Sequence, residues 1–372
     1  MKKLLLMISV VCLVFAGSYT VCGNTIVESF DEMEINDVFE TAERSFEGFD
    51  GRAIVESLSK GNPPEKKGIV QTIREYIFKT FYELLKVFAM IIITGYAISV
   101  INMTGQAFNG QSSKTAFYVG YCVFAGVVIS VFAELIAPAR NTIESLVTMI
   151  KSTIPVLLTL LTLSGGATTT GLMSPILISL INVIAVVLGE FLVSVTVATV
   201  SLSVADRMSE HINVSSAVKS LKQFVKWVLL FCMAIYSGVY GVYGLAGSAL
   251  DSRFGKATRF AVGSSIPVVG GVVSDSIETI IGTVAALRSL TGVVGIIAII
   301  AIAVLPVIKI AMVMWMLRIS AVILEPVSDK RIVQLTSDIA DSTSMVFAIL
   351  TAVSLLLIGC IGIILISGNF IS

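Results

Sequence analysis

Residues 342–372 read STSMVFAILTAVSLLLIGCIGIILISGNFIS and contain no charged side chain. A helix that crosses the hydrocarbon core of a bilayer needs roughly 20 predominantly apolar residues. The run is long enough for such a crossing and longer than the apolar stretch of an ordinary helix in a soluble domain. It predicts that the chain is held in a membrane.

Other uncharged or nearly uncharged runs follow the same pattern along the chain. They cover residues 87–113, 115–133, 152–189, 227–250 and 289–317, the last interrupted by Pro306 and Lys309. Polar or charged segments separate these runs, as expected of loops between spanning helices. We therefore predict an all-α, polytopic membrane protein with six to eight membrane segments, among them re-entrant or broken helices.

The composition agrees with lipid as the solvent of this chain. Hydrophobic residues make up 56% of the sequence and charged residues 13%, whereas soluble domains carry about 25% charged residues. The mean hydropathy is +0.95. Lys+Arg and Asp+Glu both number 25, so the formal net charge is zero. Without a basic excess, we expect membrane lipid as a partner and no nucleic acid.

Residues for catalysis or metal binding are scarce. The only histidine is His211, in a polar loop, and no phosphate-binding loop, zinc-protease motif or nucleophile elbow is present. The cysteines lack metal-ligand spacing and are interpreted as small hydrophobic residues; they are Cys12, Cys22, Cys122, Cys232 and Cys360. We predict no enzyme activity, no cofactor and no metal site.

Three regions divide the chain. Residues 1–23 read as a signal peptide, with Lys2 and Lys3 before an apolar stretch. Residues 24–80 form an extracytoplasmic acidic and amphipathic segment, and 81–372 form the polytopic domain. Within 68–86, apolar residues at helical spacing favour either a helix in the membrane interface or a packing helix of a small outer domain.

The orientation of the spans stays open at this point. The loop around 203–226 carries Arg207, Lys219, Lys222 and Lys226, which favours the cytoplasmic side. The basic residues before the first span would lie outside if the exported start is outside. Starting outside, the spans bring the loop around 203–226 to the cytoplasmic side only if one early apolar piece, such as the segment before Gly165, fails to cross. The basic residues before the first span would then still lie outside, against the same rule.

Two apolar stretches contain residues that break helices. Residues 165–171 read GGATTTG inside the run 152–189, so the part before the break is either a half-helix or the end of a helix begun near Thr142. Residues 260–291 are rich in Gly and Ser and contain Pro267. This second stretch is a span, a re-entrant hairpin or a helix packed at the interface.

Charged side chains within or beside the spans are the candidates for a polar path. Glu134, Glu190 and Lys309 lie in apolar surroundings. A charge at bilayer depth is costly, so such groups face protein or water. A proton- or ion-coupled site is one interpretation, and structural pairing or snorkelling near helix ends is the other.

The stretch from 256 to 295 is similar to the signature block of the stage III sporulation protein AE family. The matching pieces are KATRFAVG (256–263), IPVVGG (266–271), SD (274–275) and GVVG (292–295). The export signal, acidic outer segment and polytopic body also follow the family's order. The resemblance implies a sporulation-specific subunit in the mother-cell membrane around the forespore. It further implies assembly with other stage III sporulation proteins into a channel or secretion-like complex needed for forespore development.

Within this block, Gly263, Pro267, Gly270, Gly271 and Asp275 are the candidate packing and assembly residues. Glycines allow close helix approach, and the proline breaks the local hydrogen-bond ladder; a simple packing kink is the other interpretation. The alternative function is a self-sufficient secondary transporter or ion channel. Glu190 and Lys309 in one internal cavity would favour that alternative, and a closed apolar body would favour the complex subunit.

Overall fold

The computed structural model describes residues 66–107, 110–164, 166–208, 214–239 and 270–369. The predicted signal peptide, residues 24–65 of the acidic segment, His211, Gly263 and Pro267 lie outside these ranges. Within them, the regular secondary structure is entirely helical. This confirms the all-α fold class.

Seven α-helices, numbered along the chain, and one π-helical segment make up the described residues. They are α1 Lys66–Ala107, α2 Gly110–Leu163, α3 Ala167–Val183, the π segment Ile184–Leu192, α4 Val193–Met208, α5 at 215–239, α6 Gly270–Leu324 and α7 Lys330–Asn369. The π segment joins α3 to α4 without a break. Helix α1 continues unbroken past residue 80, while the boundaries of the three predicted regions stay predictions.

Five stretches of the described residues are long and apolar enough to cross a membrane. They are Arg74–Thr104, Thr115–Leu163, Thr169–Arg207, Gly282–Leu324 and Lys330–Ile366. The chain is therefore a multi-pass membrane protein. The number of six to eight segments stays a prediction, because the run 227–250 extends beyond the described residues.

Helix α2 joins two pieces that the charge pattern separates. The span predicted at 115–133 and the apolar piece before residue 165 belong to one helix of 54 residues. Glu134 does not end the helix because its side chain lies on the exposed surface. At 1.5 Å per residue, α2 measures about 80 Å and exceeds the ~30 Å of a hydrocarbon core. Of the two predicted alternatives, the end of a longer helix is right, and that helix begins at Gly110.

The predicted break at 165–171 is confirmed as a tight turn between α2 and α3. The Gly166 N–H donates to the Leu161 carbonyl at 2.9 Å. A Cβ atom on Gly166 would lie 2.8 Å from Leu161 Cδ1, so the absent side chain lets the chain reverse here. The turn packs the end of α2 against the start of α3.

From residue 270 onward, the stretch 260–291 belongs to the same helix as the span predicted at 289–317. Helix α6 runs continuously for 55 residues and contains Pro306 in its interior. After the turn at 325–329, α7 returns along α6, and α2 packs against both helices. The core of this three-helix contact is aliphatic and includes Ala298, Ile302, Ile349, Leu350, Val353 and Leu357.

Candidate functional site

Charged side chains from four helices meet at one end of the bundle. We call them the ionic cluster, and its members are Asp206, Arg207, Lys222, Arg318, Asp338 and Asp341. Helix α4 carries the first two, α5 carries the lysine, α6 carries Arg318 and α7 carries the two remaining acids. The cluster thus ties together segments that are far apart in sequence.

Asp338 lies at the centre of the ionic cluster. Its carboxylate accepts hydrogen bonds from Arg207 Nη2 at 3.0 Å and from Lys222 Nζ at 2.8 Å. The exposed fractions of the Asp338, Arg207 and Lys222 side chains are 19%, 24% and 12%. Hydrogen bonds between ionised groups are roughly twice as strong as neutral ones, and partial burial limits their screening. Asp338 therefore holds α4 and α5 to α7.

The rim of the ionic cluster is more exposed. Asp341 lies 3.2 Å from Arg318 and 3.6 Å from Lys222, and the side chains of Asp341 and Arg318 are 44% and 49% exposed. Asp206 accepts the backbone N–H of Val214 at 2.8 Å and lies 3.7 Å from Arg207. This concentration of charge belongs in water or headgroups, so it marks an end of the membrane-embedded body.

The sequence indicated only two members of this cluster, Arg207 and Lys222, as part of a basic loop. Arg318, Asp338 and Asp341 were missed. The available signal for the two aspartates was their spacing, because residues three apart on a helix share one face. The sequence Asp-Ile-Ala-Asp directly before the uncharged run 342–372 places both carboxylates at the edge of a span.

Arg288 is the most buried charged side chain of the described residues. It is 1% exposed, and its Nη1 donates to Ser164 Oγ at 3.1 Å. Its Nε is buried without a hydrogen-bond partner, and within the described residues no carboxylate pairs with it. Ser164 closes the C-terminal turn of α2, where the last carbonyls carry a partial negative charge that favours a nearby cation. Arg288 of α6 therefore contacts the α2–α3 turn through a single hydrogen bond.

Two glycines of the GVVG piece lie one and two turns beyond Arg288. A Cβ on Gly292 would be 2.5 Å from Leu365 Cδ2, and one on Gly295 would be 2.9 Å from Ile361 Cδ1. The Gly295 position also faces Thr153 Cγ2 of α2, at 3.4 Å. The end of the family-like block therefore forms the close contact between α6, α7 and α2.

The other candidate residues of the block are placed only in part. Gly270 and Gly271 are the first residues of α6, and Asp275 lies in its second turn. Gly263 and Pro267 precede the described part of α6. The packing and assembly roles of these five residues stay predictions.

The three intramembrane charges do not form a common internal site. Glu134 and Glu190 are exposed on the outer surface, and Lys309 is half-buried on α6. Among the described residues, no ion pair or side-chain hydrogen bond joins any two of them. Glu190 lies in the π segment, a distortion that is frequent at functional sites. A role in a polar path stays a prediction for all three.

A cavity of about 370 Å³ lies between α1 and α6 and is apolar. Its lining includes Phe81, Phe88, Met312, Trp315 and Ile319, and neither Glu190 nor Lys309 contributes to it.

No group of His, Cys, Asp and Glu side chains suited to a metal ion occurs in the part of the chain that is described. Cys232 and Cys360 lie in the apolar core as predicted, whereas Cys122 is exposed.

The long helices, apolar interior and terminal ionic cluster define a polytopic α-helical membrane protein. Residues 49–368 match the family model for Stage III sporulation protein AE, and the chain belongs to that family. A relative named Stage III sporulation protein AE, from Bacillus subtilis (strain 168), is 26% identical over 293 residues, which are 78% of this chain and 73% of the relative. No solved structure matches. The predicted family is confirmed, and the protein has a role in sporulation.

Proposed function

We propose that this chain is a membrane subunit of a channel or secretion-like complex between mother cell and forespore, required for forespore development. The complex lies in the mother-cell membrane around the forespore, and the partners are other stage III sporulation membrane proteins. The family supports the sporulation setting. The subunit role rests on the distribution of charge in the described helices.

The observation that carries the proposal is the outward position of Glu190. A transporter that works alone binds its substrate or coupling ion near the bilayer midplane, between its own helices. Here Glu190 is exposed, Lys309 is half-buried without an ion pair in the described residues, and the cavity beside α6 is apolar. Outward charges on an apolar body suit a subunit that is completed by neighbouring subunits of an assembly.

An enzymatic role has no support from the described side chains. The carboxylates of the ionic cluster are engaged by Arg207, Lys222 and Arg318, and a general base needs access to the proton that it removes. We therefore assign the chain a structural and assembly function rather than catalysis.

Co-purification from sporulating cells tests the proposal. The full chain, with a C-terminal tag and expressed from its own promoter, is crosslinked in intact sporulating cells, purified and analysed by mass spectrometry. We expect other stage III sporulation membrane proteins in the purified sample. An unrelated polytopic membrane protein with the same tag is the control. Recovery of this chain alone, from cells that sporulate normally, would contradict the proposal.

A glycine variant tests whether assembly depends on the start of α6. Gly270→Leu combined with Gly271→Leu should block co-purification and lower spore yield while membrane insertion persists, because bulky side chains prevent close helix approach. Gly282→Leu is the matched control, since a Cβ at Gly282 meets nothing within 4 Å. Normal spore yield from the double variant would contradict an assembly role of Gly270 and Gly271.

A further inference from the structure

One outward face of α2 is polar over a length that matches a membrane crossing. From Glu134 to Pro155, every exposed residue is charged, polar or small. These residues are Glu134, Ala137, Arg140, Asn141, Glu144, Thr148, Lys151 and Pro155. The opposite side of the same helix is apolar and buried, as at Leu146 and Ile150. In contrast to the exposed large apolar side chains of α1 and α6, this face is unsuited to lipid tails.

Contacts with α4 place this face at membrane depth. Arg140 Nη2 donates to Ser194 Oγ at 3.0 Å. Ser194 precedes Arg207 of the ionic cluster by 13 positions on α4, which corresponds to about 20 Å along a helix. Towards the other end of the bundle, the Gly295 position faces both Thr153 of α2 and Ile361. Because Ile361 lies inside the uncharged run of α7 and Thr153 is on the buried side of α2, this part of α2 lies at the depth of that run.

Among the described residues, no ion pair neutralises the charges on this face. Arg140 has a single hydrogen bond, to Ser194, and in the described residues Glu134, Glu144, Lys151 and Glu190 have no ion pair. Charged side chains inside a bilayer face protein or water rather than lipid. The described helices leave these charges on their outer surface, so a further protein surface or water must cover them.

The mixture of signs on this face indicates what covers it. We propose that two copies of this chain pack against each other through the polar face, defined as Glu134, Arg140, Glu144, Lys151, Glu190 and Ser194. Copies inserted in the same orientation hold equal residues at equal depth. Arg140 of one copy then lies about 6 Å in depth, one helical turn, from Glu144 of the second copy. Long side chains bridge that offset, so two reciprocal ion pairs form.

Small residues next to the charges permit this approach. Ser194, Ala198 and Ser201 are exposed along α4, and small residues at helix interfaces let membrane helices pack closely. Glu134 and Glu144 flank Arg140 along α2, so acids and bases alternate on this patch and make it complementary to itself. The inference concerns the chain alone and goes beyond the proposed sporulation complex.

Site-specific photocrosslinking tests the interface directly. The full chain carries a photoreactive benzoylphenylalanine in place of Thr148, which lies between Glu144 and Lys151 on the polar face. Two differently tagged copies are co-expressed in membranes of a bacterium that does not sporulate. We expect a crosslinked band that carries both tags. The matched control places the same residue at Ile319, which is 48% exposed on α6, and should give no such band.

Three outcomes would overturn the proposal. They are a band of equal intensity from both positions, crosslinks from Thr148 to lipid alone, and crosslinks to a different protein without the two-tag band. The host lacks sporulation proteins, so failure here is separate from failure of the proposed complex.

A charge exchange provides the second measurement. Arg140→Glu should lower the two-tag yield roughly tenfold, the change that follows from about 1.4 kcal/mol, because it places acids opposite acids. Arg140→Glu combined with Glu144→Arg should restore the yield, since the reciprocal pairs form with reversed sign. If the double variant stays as low as Arg140→Glu, the pairing between copies is wrong.

Discussion

Asp338→Asn is the sharpest test of the ionic cluster. The substitution keeps the size of the side chain and removes its negative charge. Arg207 Nη2 and Lys222 Nζ lie 3.0 and 2.8 Å from the Asp338 carboxylate, so both cations lose their nearest counter-charge. We expect the variant to fold and insert but to unfold at a lower temperature.

The size of the effect follows from the partners that remain. A hydrogen bond to a charged group contributes about 1.5–3 kcal/mol, and Asp338 makes two. Arg207 keeps Gln334 Oε1 at 2.7 Å, Lys222 keeps Asp341 at 3.6 Å, and all three central side chains are partly exposed. We therefore expect a net loss of about 2 kcal/mol, or roughly 4 °C in the midpoint of thermal unfolding.

Tryptophan fluorescence is a suitable assay for the full chain in lipid nanodiscs. Trp227 lies five residues after Lys222 on α5, and Trp315 lies three residues before Arg318 on α6, so both report near the cluster. Asp341→Asn is the matched control on the same helix face. Its nearer partner Arg318 is 49% exposed, and Lys222 lies farther away at 3.6 Å. Exposed pairs contribute about 0–1 kcal/mol.

A double-mutant cycle separates the ion pair from general damage to α7. Lys222→Met, alone and with Asp338→Asn, should give a coupling free energy of about 1–2 kcal/mol. Equal midpoint shifts for Asp338→Asn and Asp341→Asn, or a coupling near zero, would show that Asp338 does not hold α5 to α7.

Two further substitutions probe the contact between α6, α7 and α2. Gly292→Ala should lower the free energy of unfolding by about 1–2 kcal/mol, because its Cβ would meet Leu365 Cδ2 at 2.5 Å. Gly282→Ala is the control, because its Cβ meets open space, and it should leave the free energy of unfolding unchanged. Equal unfolding midpoints for the two variants would contradict the close contact at Gly292. Arg288→Met should leave the midpoint unchanged or raise it, since it removes a buried cation with one hydrogen bond. A drop of several degrees would show a partner for Arg288 beyond Ser164.

Uncharged runs and glycines in the sequence predicted much of the fold. The uncharged run at 342–372 correctly predicted a spanning helix, and the Gly165-Gly166 pair predicted the turn between α2 and α3. The charge at Glu134 led to a wrongly predicted helix end, because a single exposed charge does not interrupt backbone hydrogen bonds. Helix α2 therefore continues where the pattern indicated an end.

The candidate sites were harder to predict, because pairing depends on contacts between distant segments. Arg207 and Asp338 are 131 positions apart and Arg288 and Ser164 are 124 apart, and helical spacing carries no information about such pairs. Gly292 and Gly295 appeared as family-like residues, and only the packing of α6 beside α7 gives them a physical reason.

The sequence by itself determined the solvent of this protein, its helical class and its family. Uncharged runs such as 342–372 need lipid around them, and in lipid the backbone bonds to itself within each helix. The tertiary structure alone decided which charges meet and which face outward. It grouped Asp338 with Arg207 and Lys222, buried Arg288 beside Ser164 and left Glu190 on the surface, because the packing of α2, α6 and α7 sets the direction of each helix face.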